Sequence, residues 1–228
     1  MKRNAELEDG ENMLEYMIER GNVGSYQNTY DHTLRIFASK DPKTMADHSG
    51  TEFDAEKSEF TLESLGQKLH IKFPEGTIRF SGSNLAPLWP WRLIMLNHLA
   101  RADNAPLSRE VIPFRETESG NIFHPAFLKR SIHPLINHFS DKPVEKIKSA
   151  CLQLGAQLQE GADVCAIFPF LPRFPVILKI WLKDEEMNGS ANILFNASAN
   201  HYLHTEDIAV AGSTVVNFLI AQYECMFS

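Results

Sequence analysis

Three runs between Glu59 and Ser81 alternate apolar and polar residues with a period of two, and they constrain the fold more than any other feature of the chain. In "EFTLESL", Phe60 and Leu62 alternate with Glu59, Thr61 and Glu63. In "KLHIKF", Leu69, Ile71 and Phe73 alternate with Lys68, His70 and Lys72. In "TIRFS", Ile78 and Phe80 alternate with Thr77, Arg79 and Ser81. Successive side chains of a strand point to opposite faces, so each run has one apolar face and one wet face. Parallel strands are covered on both faces and read as continuous apolar runs, so these are half-buried antiparallel strands. Pro74-Glu75-Gly76 reads as a three-residue hairpin loop with glycine last. Residues 59–81 are therefore expected to form a three-stranded meander that buries Phe60, Leu62, Leu69, Ile71, Phe73, Ile78 and Phe80.

Around this meander the period is mostly helical. Residues 1 to about 50 are polar and read as a helical segment, with Asp41 as N-cap, Pro42 at the first helical position and Gly50 closing the helix. "LWPWRLIMLNHLARAD" carries a helical stripe of Leu93, Leu96, His98, Leu99 and Ala100. A short strand is expected in "EVIPFRE". A helix is expected from His124-Pro125 through "AFLKRSIHPLINHF", interrupted at Pro134, which lacks an N–H. Another spans "KPVEKIKSACLQLGA", capped by Asp141 and ended by Gly155. The strands "VCAIF", "VILKIWL" and "ANILFN" form a block over about 163–196, and a last helix runs through "AVAGSTVVNFLIAQY". In "VILKIWL" the face Val176, Leu178, Ile180, Leu182 is apolar and the face Ile177, Lys179, Trp181, Lys183 is mixed. Strands in two groups with helices at both ends describe an α+β domain, here one domain over 1–228.

Composition excludes several classes. The net charge is −7, which argues against a nucleic-acid partner, since that needs a basic face. The longest apolar run, "DVCAIFPFLPRFPVILKIWL", is broken by three prolines and carries Arg173 and Lys179. It reads as strand, turn, strand rather than a membrane span. Cys151, Cys165 and Cys225 are far apart and show no metal-ligand spacing, which suits buried free thiols in the cytoplasm.

Four stretches carry chemistry-bearing residues. "HYLHTEDIAV" holds His201, His204, Glu206 and Asp207. Thr205 reads as the N-cap of the last helix, with both carboxylates favoured in its first turn. In an extended chain the two histidines point to opposite sides, so no shared metal is expected. Asp184, Glu185 and Glu186 precede Asn188-Gly189, which reads as the turn of a β-hairpin. In "FRETESGNIFHPAFLKR", Arg115 and Arg130 flank a helix start near His124. Such a start can hold a carboxylate or phosphate; otherwise the arginines pair with Glu116 or the 184–186 acids. Trp89 and Trp91 stand either side of Pro90; core packing accounts for them, and the alternative is that one of them walls a groove for an aromatic or macrocyclic ligand. The candidate binding residues are thus Trp89, Trp91, Arg115, His124 and Arg130, with no metal site and no catalytic residue. No dinucleotide fingerprint, phosphate loop or nucleophile elbow is present.

The pieces "TEFD", "PFRETESGNIFHPAFLKR", "DVCAIFPFLPRFPVILKIWLKDEE" and "ILFNASANHYLHTEDIAV", in this order over residues 35–220, resemble an uncharacterised bacterial and archaeal family common in anaerobes. Leu171-Pro172 with Pro175, Trp181 with Asp184-Glu185-Glu186, and Leu194-Phe195 followed by Glu206-Asp207 carry the likeness most specifically. Asn196 departs from the Asp the family pattern leads one to expect, and Asn188-Gly189 from a small apolar turn. Some members of that family are joined to an iron–sulfur domain of the corrinoid-protein type. The resemblance implies a non-catalytic accessory protein of anaerobic metabolism that binds a cofactor of corrinoid or tetrapyrrole type, or a corrinoid or iron–sulfur protein partner. The alternatives are a small metal-dependent enzyme built on His201, His204, Glu206 and Asp184, and a structural module whose mixed strand face binds another protein.

Overall fold

The computed structural model of the chain describes residues 15–21 and 27–228, together with the backbone of two short paired strands, β1 (Ala5–Glu6) and β2 (Asn12–Met13). The helical reading of residues 1–50 therefore holds for α1 (Gln27–Ala38) and α2 (Pro42–Ser49). It fails at the two strands, and otherwise falls outside the described residues between 1 and 26. Asp41 caps α2, accepting from the Thr44 N–H at 2.8 Å, and Gly50 closes it with φ 76°, a left-handed conformation that glycine adopts without a Cβ clash.

The meander forms in the expected register. β4 (Glu59–Ser64) pairs with β5 (Gln67–Lys72), which sets Phe60 opposite Ile71 and Leu62 opposite Leu69. β6 (Ile78–Phe80) continues it, with Ile71 opposite Ile78 and Leu69 opposite Phe80. A fourth strand, β3 (Glu52–Asp54), adds to the edge and sets Phe53 beside Phe60. Phe60, Leu62, Leu69, Ile71, Ile78 and Phe80 are buried, while Lys68 and Lys72 are exposed. Each buried side chain contributes roughly 1.5–3 kcal/mol, so a one-residue slip that turned these six outward would forfeit roughly 9–18 kcal/mol, comparable to the whole stability of a small domain. Phe73 lies past the end of β5 and is only half-buried, edge-on to Phe37. The Pro74 connection is a residue longer than expected: the Lys72 N–H bonds the Thr77 carbonyl at 2.9 Å, leaving 73–76 as the loop.

The second sheet has five antiparallel strands in the order β7 (Val111–Pro113), β11 (Ser190–Asn196), β10 (Phe174–Trp181), β9 (Val164–Leu171), β8 (Gln157–Gln159). Val176, Leu178 and Ile180 of β10, with Phe168 of β9 and Phe195 of β11, face inward and are buried. Leu182, assigned to the same face, lies beyond the strand and is half-buried. The β10–β11 hairpin turns at Asp184 rather than at Asn188-Gly189. Its carboxylate accepts from the N–H groups of Glu186 and Met187, at 2.9 and 2.7 Å, and closes a tight turn of its own. Asp184 is thus accounted for locally.

α3 (Trp89–Arg101), α6 (Val144–Gln153) and α7 (Thr205–Phe227) pack between and against the sheets. Ser64 fastens the two sheets and α3 together: its hydroxyl donates to the Phe170 carbonyl and accepts from the Trp91 indole N–H at 2.9 Å. Two boundaries differ from expectation. α4 (Gly120–Phe127) begins four residues before His124, because Ser119 adopts a left-handed φ of 57° and the Thr117 hydroxyl holds the Phe114 carbonyl at 2.7 Å, setting the entry early. α6 begins at Val144 behind Pro143 and has no side-chain cap; Asp141 pairs with its neighbour Lys142 at 3.4 Å instead. Gly155 follows the end of α6 as expected. The interruption near Pro134 is a π turn, Leu128–Ile132, leading into α5 (His133–Phe139). There the His133 N–H reaches the Leu128 carbonyl five residues back, and the widened turn accommodates a proline with no N–H to give. Of the cysteines, Cys151 and Cys165 are buried, with burial pushing the Cys151 thiol up to about 12, whereas Cys225 is exposed.

Candidate functional site

The start of α7 is held by a connected set of polar contacts. Thr205 is its first helical residue and lies just past His204, which occupies the N-cap position without a side-chain bond. The Thr205 hydroxyl therefore does not cap the helix. It donates to the Glu118 carbonyl and accepts from Asn200 Nδ2 at 3.1 Å. Asn200 Oδ1 in turn accepts from the Glu118 N–H at 2.8 Å, so three residues from separate segments close on one another. Arg101, at the end of α3, donates from Nε to the Asn200 carbonyl at 3.0 Å and meets His204 Nε2 at 3.2 Å.

The two histidines have different partners. His201 Nδ1 lies 2.8 Å from Asp103 Oδ2, and His204 Nε2 faces the Arg101 guanidinium. A guanidinium only donates, so that nitrogen holds a lone pair and the ring is neutral. Burial, and then the Arg101 charge, lower the His204 pKa accordingly. A metal at His204 Nε2 would have to displace a cation. Among the described residues no three His, Cys, Asp or Glu side chains gather as a metal-binding group.

Deeper in the same helix start, Asp207 reaches Asn97 of α3, whose Oδ1 takes the Thr33 hydroxyl of α1 at 3.1 Å. Burial pushes the Asp207 carboxyl up to about 6, against the opposing effect of the Asn97 bond. Sequence reasoning placed Asp207 in a helix's first turn but missed Asn97, the one amide within the apolar run of α3.

Of the expected binding residues, the structure brings together few. Trp91 is fully buried, edge-on to Phe80 and to Phe218 of α7, and belongs to the core instead of walling a groove. Trp89 is half-buried at the first turn of α3, where its backbone N–H donates to Glu19 at 2.9 Å. Arg115 is exposed in a 3-10 turn (Phe114–Glu116) and meets Glu116 at 3.8 Å, a solvated pair worth little. His124 is half-buried on α4. Arg130, in the π turn, is exposed and has no ion-pair partner among the described residues; none of the 184–186 acids pairs with it.

Arg130 does line a groove. It runs between α4 with its π turn and α7, has a volume of about 310 Å³, and is walled by Phe123, Phe127, Ala209 and Val210, with Glu206 and Ser213 also at its surface. Gly212 sets its depth. A Cβ there would stand 2.8 Å from Phe127 Cε2, so only glycine allows the two helices this close. Phe127 is held from behind by Phe114, stacked at 4.2 Å. Glu206, like Arg130, has no ion-pair partner among the described residues. A larger groove of about 380 Å³ lies under the β9–β10 turn, lined by Leu107, Ile167, Pro169 and Pro175. Its arginine, Arg173, is occupied by the His48 carbonyl at 3.1 Å and by Asn104.

These features define an α+β domain of two antiparallel sheets with an apolar, charge-tipped groove between two helices on one flank. The chain matches the family described as a domain of unknown function (DUF3786) over residues 41–218, and it belongs to that family. No curated protein and no solved structure matches it.

Proposed function

We propose that this chain is a non-catalytic binding protein and that the α4–α7 groove is its binding surface. The observation that supports this is the pairing of an apolar floor with an unengaged guanidinium, Arg130, at the rim. Ligand sites combine apolar walls with a few placed polar groups in this way. No nucleophile with an adjacent base is among the residues lining the groove, and at the start of α7 His201, His204 and Asp207 are engaged by Asp103, Arg101 and Asn97. The enzyme alternative built on His201, His204 and Glu206 draws no support from this arrangement.

The resemblance to chains that travel with corrinoid iron–sulfur domains suggests a cytoplasmic role in anaerobic metabolism. It makes a corrinoid or iron–sulfur protein the first partner to try. A volume of about 310 Å³ sits at the small end for a ligand pocket. It takes a few side chains of a partner rather than a whole corrin ring, which favours partner binding over enclosure of the cofactor.

An apolar anion is the simplest probe. Anilinonaphthalene sulfonate offers rings for Phe123 and Phe127 and a sulfonate for Arg130. The expected result, at low micromolar protein, is saturable fluorescence enhancement that weakens several-fold in Arg130→Ala and in Val210→Glu. Enhancement that is absent, or equal in all three proteins, would count against the groove.

A further inference from the structure

The outer strip of α7 has an unusual composition. No charged residue occurs from Ile208 to Tyr223, yet Ala209, Val210, Ser213, Asn217 and Ile220 on that stretch are partly or fully exposed. The solvent face of a helix in a globular protein is ordinarily charged or polar. α7 is long and apolar enough by composition to cross a membrane, but 56% of its apolar window is buried within the fold, so it is a core helix with one uncovered side. Next to it, Ile122 on α4 is 74% exposed, and it stands one turn before Ala126, a residue of the groove, along the same row of the helix surface. A protruding apolar side chain thus adjoins an apolar groove on one face.

The charged residues that line the groove are one cation and one anion, Arg130 and Glu206, one from each side of it and neither in an ion pair among the described residues. Such an arrangement is complementary to itself. A two-fold axis lying in the face, midway between the two groups, sets Arg130 of one copy against Glu206 of the other, and the reverse. The uncharged strip of α7 then enters the contact, where close approach carries no cost of burying an unpaired charge. We propose that this face is a self-association surface and that its occupant is a second copy of the chain, docked with two reciprocal Arg130–Glu206 pairs. This rests on the reading of the groove as a binding surface and names what fills it.

Charge reversal tests it. Sedimentation velocity on the full chain, up to about 100 μM, is expected to show a reversible dimer. Arg130→Glu sets like charges against each other at both pairs, and Glu206→Arg does the same, so each variant alone is expected to weaken association at least about 10-fold. An equimolar mixture of the two variants restores two opposite-charge pairs, and is expected to dimerise like the native chain. Far-UV circular dichroism checks that both exposed positions leave the fold intact. The neutral variants Arg130→Gln and Glu206→Gln, each expected to weaken association several-fold, serve if a reversal does not fold. A native chain that stays monomeric overturns the proposal, while saturable binding of the fluorescent anion by that monomer would leave the groove reading standing. A dimer that both reversals leave intact, or a mixture that fails to associate, overturns the placement of the interface on this face.

Discussion

Asn97 Nδ2 sits between the two carboxylate oxygens of Asp207, 3.0 Å from one and 3.1 Å from the other, and so ties α3 to the first turn of α7. Because this carboxylate is largely buried, its pKa rises to about 6 from the ordinary 3.8, against the opposing effects of the Asn97 amide and the His204 backbone. A raised carboxyl pKa means that folding disfavours the ionised form. The neutral form's advantage is fully present below 3.8 and is lost as pH rises through about 6. At about 1.4 kcal/mol per pH unit this amounts to about 3 kcal/mol. Asp207→Asn keeps an acceptor for Asn97 and has nothing to ionise. Its stability relative to the native chain is expected to climb from pH 4 to about pH 7 and then level off, as read by urea unfolding across that range. A flat difference would show that the carboxylate is not held neutral.

His98 acts in the opposite direction over an overlapping range. It is fully buried, stacks on Tyr202 with ring centroids 5.8 Å apart, and neither ring nitrogen completes a hydrogen bond. The carbonyls of Ser49, Pro172 and Tyr202 face the ring, but burial dominates and lowers its pKa to about 4. The unfolded chain takes up a proton below 6.5 that the folded one refuses, so this contribution is present above 6.5 and is lost as pH falls towards about 4. His98→Leu is expected to remove that acid-side loss, flattening the stability profile between those limits. An unchanged profile would place the acid sensitivity elsewhere.

Thr205 couples two segments, so its loss is expected to cost more than a lost helix cap. Thr205→Ala leaves the Glu118 carbonyl and the Asn200 amide each without this partner, in a part-buried place. The expected cost is about 1–3 kcal/mol in denaturant unfolding. Thr205→Ser keeps the hydroxyl and is expected to recover most of it. Equal losses in both variants would assign the effect to the methyl group instead.

Gly212→Ala sets two effects against each other. Alanine favours a helix over glycine by about 1 kcal/mol. Against that, the new Cβ would lie 2.8 Å from a Phe127 ring that Phe114 holds in place from behind. Overpacking a fixed ring costs roughly 1–3 kcal/mol. The steric effect is expected to win, giving a lower Tm and weaker binding of the fluorescent anion as the groove widens. A higher Tm would mean that α4 shifts freely along α7.

Much of the fold was legible because it rests on short-range periodicity. A period of two assigned both faces of β4, β5 and β6, and the pleat leaves no second register that keeps Phe60, Leu69 and Ile78 dry. Asp41-Pro42 and Gly50 marked both ends of α2, since capping is decided within a turn of the helix. That the chain belongs to a family of unknown function was legible too, because this is a property of ordered motifs rather than of contacts.

The site was not legible, because each of its elements depends on what a distant residue does. The sequence left Trp91 between core and groove wall; Ser64, 27 residues away, supplies the acceptor that lets its indole N–H go fully inside. Thr205 read as a cap because nothing local shows that Glu118 and Asn200 draw its hydroxyl outward from its own helix. Arg115 and Arg130 looked equivalent in sequence. Only the packing of α4 against α7 at Gly212 places one beside a groove and leaves the other in solvent against Glu116. Local pattern determines which face of an element is apolar. Which polar groups find partners across the fold is settled only when the elements meet, because burial makes each partnership worth far more than it is in water.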